Sequence, residues 1–334
     1  MPRKIVVWRP MYDPRGHGLL EDGGLEVVVL DTSDTQQVVA AVADARALWV
    51  RTPEKVTGDI LEAGDKLVIV STSGFGTDNV DIPAATARGI LVVNHLGFGR
   101  VPVAEHSIML MLAALKQLTW GDRSARDGSA WKARTGLELF ELDGKTVGIV
   151  GLGYIGSELA MKLRLAFRCR VLAYDPYVDA RLANAAGVEM KSDLMDMLGE
   201  CRVLCLCAAL TDETRMMIGA RELAALPAGA IVVNAARGQL LDLDALAAAL
   251  DSGPVAAAGL DVYYPEPPPP GHPLLTHPRA VLTPHVAGVT AETTARLAQS
   301  AADQILAALR GEMPRFPVNP EAWEAANSRR PGSR

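Results

Sequence analysis

Short apolar runs alternate with stretches of helical periodicity along most of the chain. KIVVW (4–8), LEVVVL (25–30), ALWV (47–50), KLVIV (66–70) and ILVV (90–93) predict strands, and TQQVVAAVADA (35–45) and IPAATARG (82–89) predict helices between them. These runs are apolar almost continuously, not at every second position. Strands of that kind are buried on both faces, as in a parallel sheet covered by helices on either side. Residues 101–119, VPVAEHSIMLMLAALKQLT, predict one long helix, too apolar for an exposed position and expected between domains or subunits. The alternation then resumes with TVGIV (146–150), RVLAY (170–174), RVLCLC (202–207), AIVVN (230–234), AAAGLDV (256–262) and RAVLTPH (279–285), followed by a helix over about 290–310. The expected fold is α/β, with two doubly wound parallel-sheet domains and a cleft between them, where ligands meet the carboxyl ends of the strands. The polar tail NSRRPGSR is expected to fray.

Composition narrows the function. A chain of 334 residues suits two domains, and 49% hydrophobic with 22% charged residues is globular. A net charge of −6 leaves no basic face for nucleic acid. No apolar run approaches the roughly 18 residues of a membrane span, and MPRKIVVWRP lacks the apolar region of a signal peptide, so a cytoplasmic location is expected. Cys169, Cys201, Cys205 and Cys207 lie in predicted strands. Cys205 and Cys207 would project from one strand face and could not surround an ion, so no metal is expected and all four read as core residues of a reducing compartment.

The loop GLGYIG carries Gly151, Gly153 and Gly156 between a predicted buried strand and an amphipathic helix. That context turns a common glycine pattern into a dinucleotide site, with the pyrophosphate on the free N–H groups of the helix start. The next strand ends in Tyr174-Asp175, and Asp175 stands 19 residues past Gly156. A carboxylate there accepts hydrogen bonds from the ribose hydroxyls of NAD and repels the extra phosphate of NADP. The first arginine afterwards is Arg181.

Three polar residues fall at or just past predicted strand ends: Arg237 after AIVVNAA, Glu266 after GLDV, and His285 closing RAVLTPH. Singly they read as a surface arginine, a loop glutamate and a capping histidine. Together they meet the needs of hydride transfer to a 2-keto acid. A guanidinium holds the carboxylate and polarises the carbonyl. A histidine gives the proton. A carboxylate orients that histidine and favours its charged form. The prolines of YYPEPPPP (263–270) are then a stiff scaffold that presents Glu266 to His285, against the alternative of a docking site for a proline-reading domain. In IVSTSGFGTDNVD (69–81), Ser73, Gly74, Phe75 and Gly76 form a candidate substrate loop whose N–H groups can meet an anion; the alternative is a tight turn with an Asp-Asn cap before a helix from Val80. His95 is the rival proton donor, His106 a packed or subunit-facing residue, and His272 and His277 are expected in solvent.

With these motifs in view, the chain resembles the D-2-hydroxyacid dehydrogenases, the family that includes phosphoglycerate dehydrogenases, glyoxylate/hydroxypyruvate reductases and D-lactate dehydrogenases. GFGTDNVD, VAEHSIMLML, TVGIVGLGYIG, VVNAARGQLLD, GLDVYYPEPPP and LTPHVAG carry the resemblance, over residues 45 to 310 or so. It implies two Rossmann-like or flavodoxin-like domains. Residues 1–100 with 288–334 would form the substrate domain and 101–287 the NAD-binding domain inserted into it. It implies Arg237, Glu266 and His285 as the catalytic set. It places NAD against Gly151, Gly153, Tyr154, Ile155, Gly156, Asp175, Ala235, Asp261 and Gly288, with Asp261 at the nicotinamide carboxamide. The substrate, a small 2-keto or 2-hydroxy acid, would meet Ser73, Gly74, Phe75, Gly76, Arg237 and His285. It also implies a homodimer held by the 101–119 helix and the arm from Trp120 to Trp131.

Some departures bear on the substrate. Thr72 stands where some phosphoglycerate dehydrogenases carry a phosphate-binding arginine, and Arg51 or Arg100 would have to replace it. Phe75 replaces the lysine of phosphite dehydrogenases, and Glu266 the glutamine of formate dehydrogenases. Gly99-Arg100 replaces Asn-Thr or Asn-Ala, which suggests that Arg100 meets a second acidic group. Phe75 is expected to line the side-chain pocket, with Met11 and Tyr12 at its mouth. A binding reading stands beside the enzymatic one, an NAD sensor like the related C-terminal-binding corepressors, which share the catalytic residues.

Overall fold

The computed structural model describes residues 3–179, 183 and 187–330. Arg181 and the last four residues of the polar tail lie outside that set. The chain forms two compact units, Met1–Gly99 with Val289–Arg334, and Arg100–Gly288.

In the first unit β1 (Arg3–Trp8), β2 (Leu25–Leu30), β3 (Ala47–Val50), β4 (Ile69–Ser71) and β5 (Leu91–Val93) form a parallel sheet in the order β2-β1-β3-β4-β5. β3, β4 and β5 are buried along their whole length, as expected of apolar runs without alternation. Helices α1 (Arg15–Asp22), α2 (Thr35–Val42), α3 (Gly58–Ala63) and α4 (Ile82–Ala87) connect the strands. The periodicity did not predict α1, because RGHGLLED holds two glycines and its propensity is weak. It exists by packing: α1 lies against the C-terminal helix Ala291–Arg310. α4 starts at Ile82, not Val80, because the Asp81 carboxylate caps Ala84 N–H at 2.9 Å. The Ala291–Arg310 helix is capped at its start by Thr290 and ended by Gly311 at φ 90°. It turns Ala298, Ala301, Ala302, Ile305, Ala308 and Leu309 into a core shared with Ile5, Val7 and Trp49. Met11 belongs to that core and is 9% exposed, so it does not form a pocket mouth.

The second unit opens with helices α5 (Arg100–Leu115), α6 (Leu118–Asp127) and α7 (Ala130–Ala133). The expected single helix over 101–119 is therefore broken at Gln117, which adopts a left-handed backbone (φ 48°). α5 is apolar because it covers a sheet: it packs on the strands Ala230–Asn234 and Val255–Leu260, and on α8 (Tyr154–Phe167). β6 (Thr146–Val150), β7 (Arg170–Tyr174), β8 (Glu189–Met190), β9 (Val203–Leu206), β10 (Ala230–Asn234), β11 (Val255–Leu260) and β12 (Ala280–Leu282) form a parallel sheet in the order β12-β11-β10-β9-β6-β7-β8. The winding reverses between β6 and β9, the position where open α/β sheets bind ligands. β12 ends at Leu282, short of the predicted 285, because Pro284 cannot donate to a ladder. All four cysteines are free thiols, and burial pushes that of Cys169 up to about 11. Among the described residues no helix is long and apolar enough to cross a membrane, and no cluster of three or more metal-ligating groups occurs.

Candidate active site

The glycine loop joins β6 to α8 at the reversal of the sheet. Gly151 sits at φ 91°, which a side chain would strain, and a Cβ there would lie 2.6 Å from the Ala208 backbone. A Cβ on Gly156 would lie 2.1 Å from the Gly151 carbonyl oxygen, so these two glycines let α8 start hard against the strand. Gly153 differs: a Cβ there meets nothing within 4 Å. The helix therefore points its first turn, capped by Gly153 without a side-chain acceptor, into open space. Free N–H groups, the positive end of a 14-residue helix and room beside Gly153 fit a pyrophosphate. Tyr154 is exposed and Ile155 half-buried at the start of that helix. Asp175 is held by two backbone donors, Leu152 N–H of the loop at 2.8 Å and Tyr177 N–H at 2.9 Å. Its carboxylate is thus fixed next to the loop that would hold the phosphates, where a ribose follows.

Arg237, Glu266 and His285 all belong to this second unit, on three turns that follow β10, β11 and β12. The Arg237 turn is built by Asn234, the fully buried last residue of β10. Its Nδ2 donates to the Arg237 carbonyl (2.9 Å) and its Oδ1 accepts from Ala236 N–H (3.1 Å). Ala235, between them, is buried. The Arg237 Nη1 donates to the Ala236 carbonyl at 2.7 Å. Gly238 then packs so closely on Tyr263 that a Cβ would lie 2.0 Å from the Tyr263 carbonyl. On the next turn, Glu266 Oε1 accepts from Tyr263 N–H (2.9 Å) and Oε2 accepts from His285 Nδ1 (2.8 Å). A carboxylate only accepts, so Nδ1 carries a proton, and Nε2 is the nitrogen not engaged by Glu266. The prolines of YYPEPPPP are mostly exposed, but Tyr263 at its start is buried, and its hydroxyl donates to the Thr283 carbonyl at 3.0 Å, fastening the Glu266 turn to the segment before His285. Burial pushes that phenol well above its ordinary value.

Asp261 is wholly buried. Its Oδ1 accepts from Thr283 Oγ1 (2.6 Å) and Val286 N–H (2.9 Å), and its Oδ2 from Ala287 N–H (2.8 Å). Its carbonyl accepts from His285 N–H at 2.7 Å. Three successive N–H groups, 285 to 287, thus close onto one residue. Gly288 follows as the last residue of the unit.

The Ser73–Gly76 loop lies in the first unit, after β4. The Gly74 carbonyl accepts from His95 N–H (3.0 Å) and Thr72 Oγ1 (3.0 Å), and the Phe75 carbonyl from Asn94 Nδ2 (2.9 Å). In a trans peptide the N–H points opposite to the C=O, so Phe75 N–H and Gly76 N–H turn away from those partners. Phe75 is exposed and Ser73 half-buried. His95 is the floor of this loop, not a proton donor. Its Nε2 donates to the Thr72 carbonyl (3.0 Å), which leaves Nδ1 to accept from Ser300 Oγ (3.0 Å), and burial lowers its pKa to about 4. The free imidazole titrates near 6.5, so between about pH 6.5 and 4 the unfolded chain binds a proton that the folded one refuses. Stability is therefore full above 6.5 and falls by up to roughly 3 kcal/mol as pH drops to 4. His95→Gln, which keeps a donor and an acceptor, should flatten that part of the pH profile of the urea midpoint. An unchanged slope would place its origin elsewhere.

Other expectations are corrected. His272 and His277 are not in solvent: their side chains are 13% and 9% exposed, beside Asp244 and Asp251 at 3.2 and 3.4 Å. Arg100 pairs with Glu158 at 3.1 Å. The Arg51 guanidinium lies over the exposed Tyr12 ring at 4.7 Å. Asn234, Tyr263, Thr283 and His106 were not predicted as site residues; only the positions of Asn234 and Thr283, at the ends of apolar runs, marked them.

Comparison with known proteins gives the same picture. The family model described as "D-isomer specific 2-hydroxyacid dehydrogenase, NAD binding domain" matches residues 108–287. A D-3-phosphoglycerate dehydrogenase of Archaeoglobus fulgidus is 38% identical over 95% of this chain, which spans 59% of that longer protein. A glyoxylate reductase of Aeropyrum pernix is 37% identical over 89% of each chain. The crystal structure of an NADPH-dependent glyoxylate/hydroxypyruvate reductase from Sinorhizobium meliloti, in complex with NADP and malonate, superimposes with a TM-score of 0.86 at 30% identity, over 96% of this chain and 98% of that one.

Proposed function

The chain belongs to the D-isomer specific 2-hydroxyacid dehydrogenase family, and from that premise we propose that it interconverts a small 2-keto acid and its D-2-hydroxy acid with NAD(H). The observation that carries this reading is the His285–Glu266 pair, set on turns of the sheet that also holds the dinucleotide loop. In the direction of reduction, Arg237 holds the substrate carboxylate and draws charge toward the carbonyl oxygen. The Ser73–Gly76 loop of the first unit, with the N–H groups of Phe75 and Gly76 turned away from the loop's own carbonyl partners, is a candidate anion site. Gly151–Gly156, Asp175, Ala235, Asp261 and Gly288 would hold NADH, whose chemistry when bound would be hydride transfer to the carbonyl carbon. His285 gives the proton from Nε2 to the carbonyl oxygen, while Glu266 keeps the proton on Nδ1 and stabilises the imidazolium before transfer. Oxidation of the hydroxy acid runs the same steps backwards, with Nε2 taking the proton.

The test is NADH oxidation against glyoxylate, hydroxypyruvate, pyruvate, phenylpyruvate, oxaloacetate, 2-oxoglutarate and 3-phosphohydroxypyruvate. Turnover of at least one supports the reading. Tight NADH binding without turnover of any would favour an NAD sensor instead. A 3-phosphoglycerate dehydrogenase is the second reading, favoured by the A. fulgidus relative. Thr72 is buried and offers no charge to a phosphate, and Arg100 is engaged by Glu158, so the phosphate would fall to Arg51.

Asp175 selects the cofactor. Its fixed carboxylate opposes a 2′-phosphate, and like charges brought together cost several kcal/mol. NADH should therefore be preferred to NADPH, and Asp175→Ser should raise kcat/KM for NADPH by about tenfold or more. Equal use of both cofactors by the unaltered protein would sink this assignment. We also propose a homodimer through residues 101–131, where Val101, Met109, Leu118 and Trp131 expose 37%, 38%, 55% and 65% of their surface. Four free cysteines favour the cytoplasm as its compartment.

A further inference from the structure

His285 adopts φ 54°, a left-handed backbone that a histidine holds only when its surroundings impose it. What imposes it is Asp261, through the three N–H groups of 285–287. The Asp261 carboxylate is fully buried and needs every donor within reach. One of them is the Thr283 hydroxyl, at 2.6 Å from Oδ1. That hydroxyl has a single hydrogen, committed to the carboxylate, so its oxygen accepts from the next group. The next group is His106 of α5, whose Nε2 lies 2.9 Å from Thr283 Oγ1 and 3.5 Å from Asp261 Oδ1. Nε2 of His106 therefore carries a proton and donates to Thr283. Burial pushes its pKa below the ordinary value, against the opposing pull of Asp261. The result is a directed chain of donors, His106 to Thr283 to Asp261, that meets the backbone of the residues carrying His285.

We propose that His106 is a positioning residue for the reaction: through Thr283 it fixes the Asp261 carboxylate, and the carboxylate holds the 285–287 turn so that Nε2 of His285 is aimed at the substrate. The inference rests on the reading of His285 as proton donor. An apolar residue at position 106 would pack as well against the sheet but leave the Thr283 hydroxyl free to rotate and the buried carboxylate short of support. The turn would then relax out of its strained conformation, and small displacements of a reacting group are costly.

The test compares His106→Leu, Thr283→Val and their double variant with His285→Ala, in the full chain with NADH and whichever keto acid turns over best. Each single variant should lower kcat by about tenfold, with the keto acid KM within about threefold, since Arg237 binds the carboxylate independently. The double variant should lose no more than the worse single one, because the links act in series. His106→Gln and Thr283→Ser, which restore the donors, should recover most of the loss. Thr283→Val, matched in shape to threonine, decides the matter should His106→Leu fail to fold. Wild-type kcat in Thr283→Val, losses that multiply in the double variant, or a fall in melting temperature alone would overturn the proposal. Full turnover in His285→Ala would overturn instead the reading it rests on; collapse of His285→Ala beside unaffected relay variants would remove only the relay.

Discussion

His285→Ala is expected to lower kcat by about a hundredfold or more while NADH binds nearly as before. The argument starts from the geometry. Nδ1 is tied to Glu266 at 2.8 Å, so Nε2 is the one nitrogen able to exchange a proton with substrate. The other described histidines have assigned places: His17 packs edge-on to Trp49, His95 is buried under the Ser73–Gly76 loop, His106 bonds Thr283, and His272 and His277 sit beside acidic residues. No second imidazole stands ready to take over. Glycine-loop contacts to the cofactor do not involve His285, which is why NADH affinity, read by quenching of protein fluorescence, should be spared. Glu266→Gln should fall between wild type and His285→Ala, since glutamine can still accept from Nδ1–H but carries no charge to stabilise the imidazolium. A His285→Ala variant with wild-type kcat would end the assignment of the proton donor.

Gly238→Ala is the second large effect. A Cβ at this position would lie 2.0 Å from the carbonyl carbon and oxygen of Tyr263, and backbone cannot rotate away as a side chain can. Gly238 follows Arg237, and Tyr263 anchors Glu266 through its own N–H. One added methyl group thus drives apart the turns that carry two of the three proposed catalytic residues. Overpacking of this kind costs roughly 1–3 kcal/mol in stability. Displacement of catalytic groups by about 1 Å costs about a hundredfold in rate. Both should be visible, the first in the urea midpoint and the second in kcat. Retention of full activity would mean that the two turns are not rigidly coupled.

How much of this could be read from residues alone differs from element to element. The strands were legible because apolar runs such as ALWV and AIVVN have few alternatives, and the glycine loop because its spacing coincides with a strand and a helix start. Arg237, Glu266 and His285 were legible as polar residues just past strand ends. The supports beneath them were not. Thr283 and His106 are 177 positions apart in sequence, and their contact exists only because α5 crosses β11 and β12. Asn234 reads as the polar end of a strand; that its side chain clamps the Arg237 turn is a matter of register. Helix α1 was missed because two glycines hide its periodicity, and His272 and His277 were misplaced because their contacts with Asp244 and Asp251 are tertiary and leave no trace in the local pattern. Local pattern singles out polar groups at strand ends, whereas the groups that support them are chosen by tertiary contact.

The second unit is one uninterrupted segment, Arg100–Gly288, while the first is completed by residues from 289 onward. During synthesis on the ribosome this inverts the usual order of events, in which the N-terminal domain folds first. The first five strands emerge early, but the face formed by Ile5, Val7 and Trp49 stays bare until Ala291–Arg310 is translated and covers it. Until that helix is made, the nascent chain carries an incompletely covered apolar sheet face, with the dinucleotide unit able to mature in the meantime. A ribosome stalled after Gly288 would release a chain whose NAD-binding half is sound and whose other half is a substrate for chaperones and proteases.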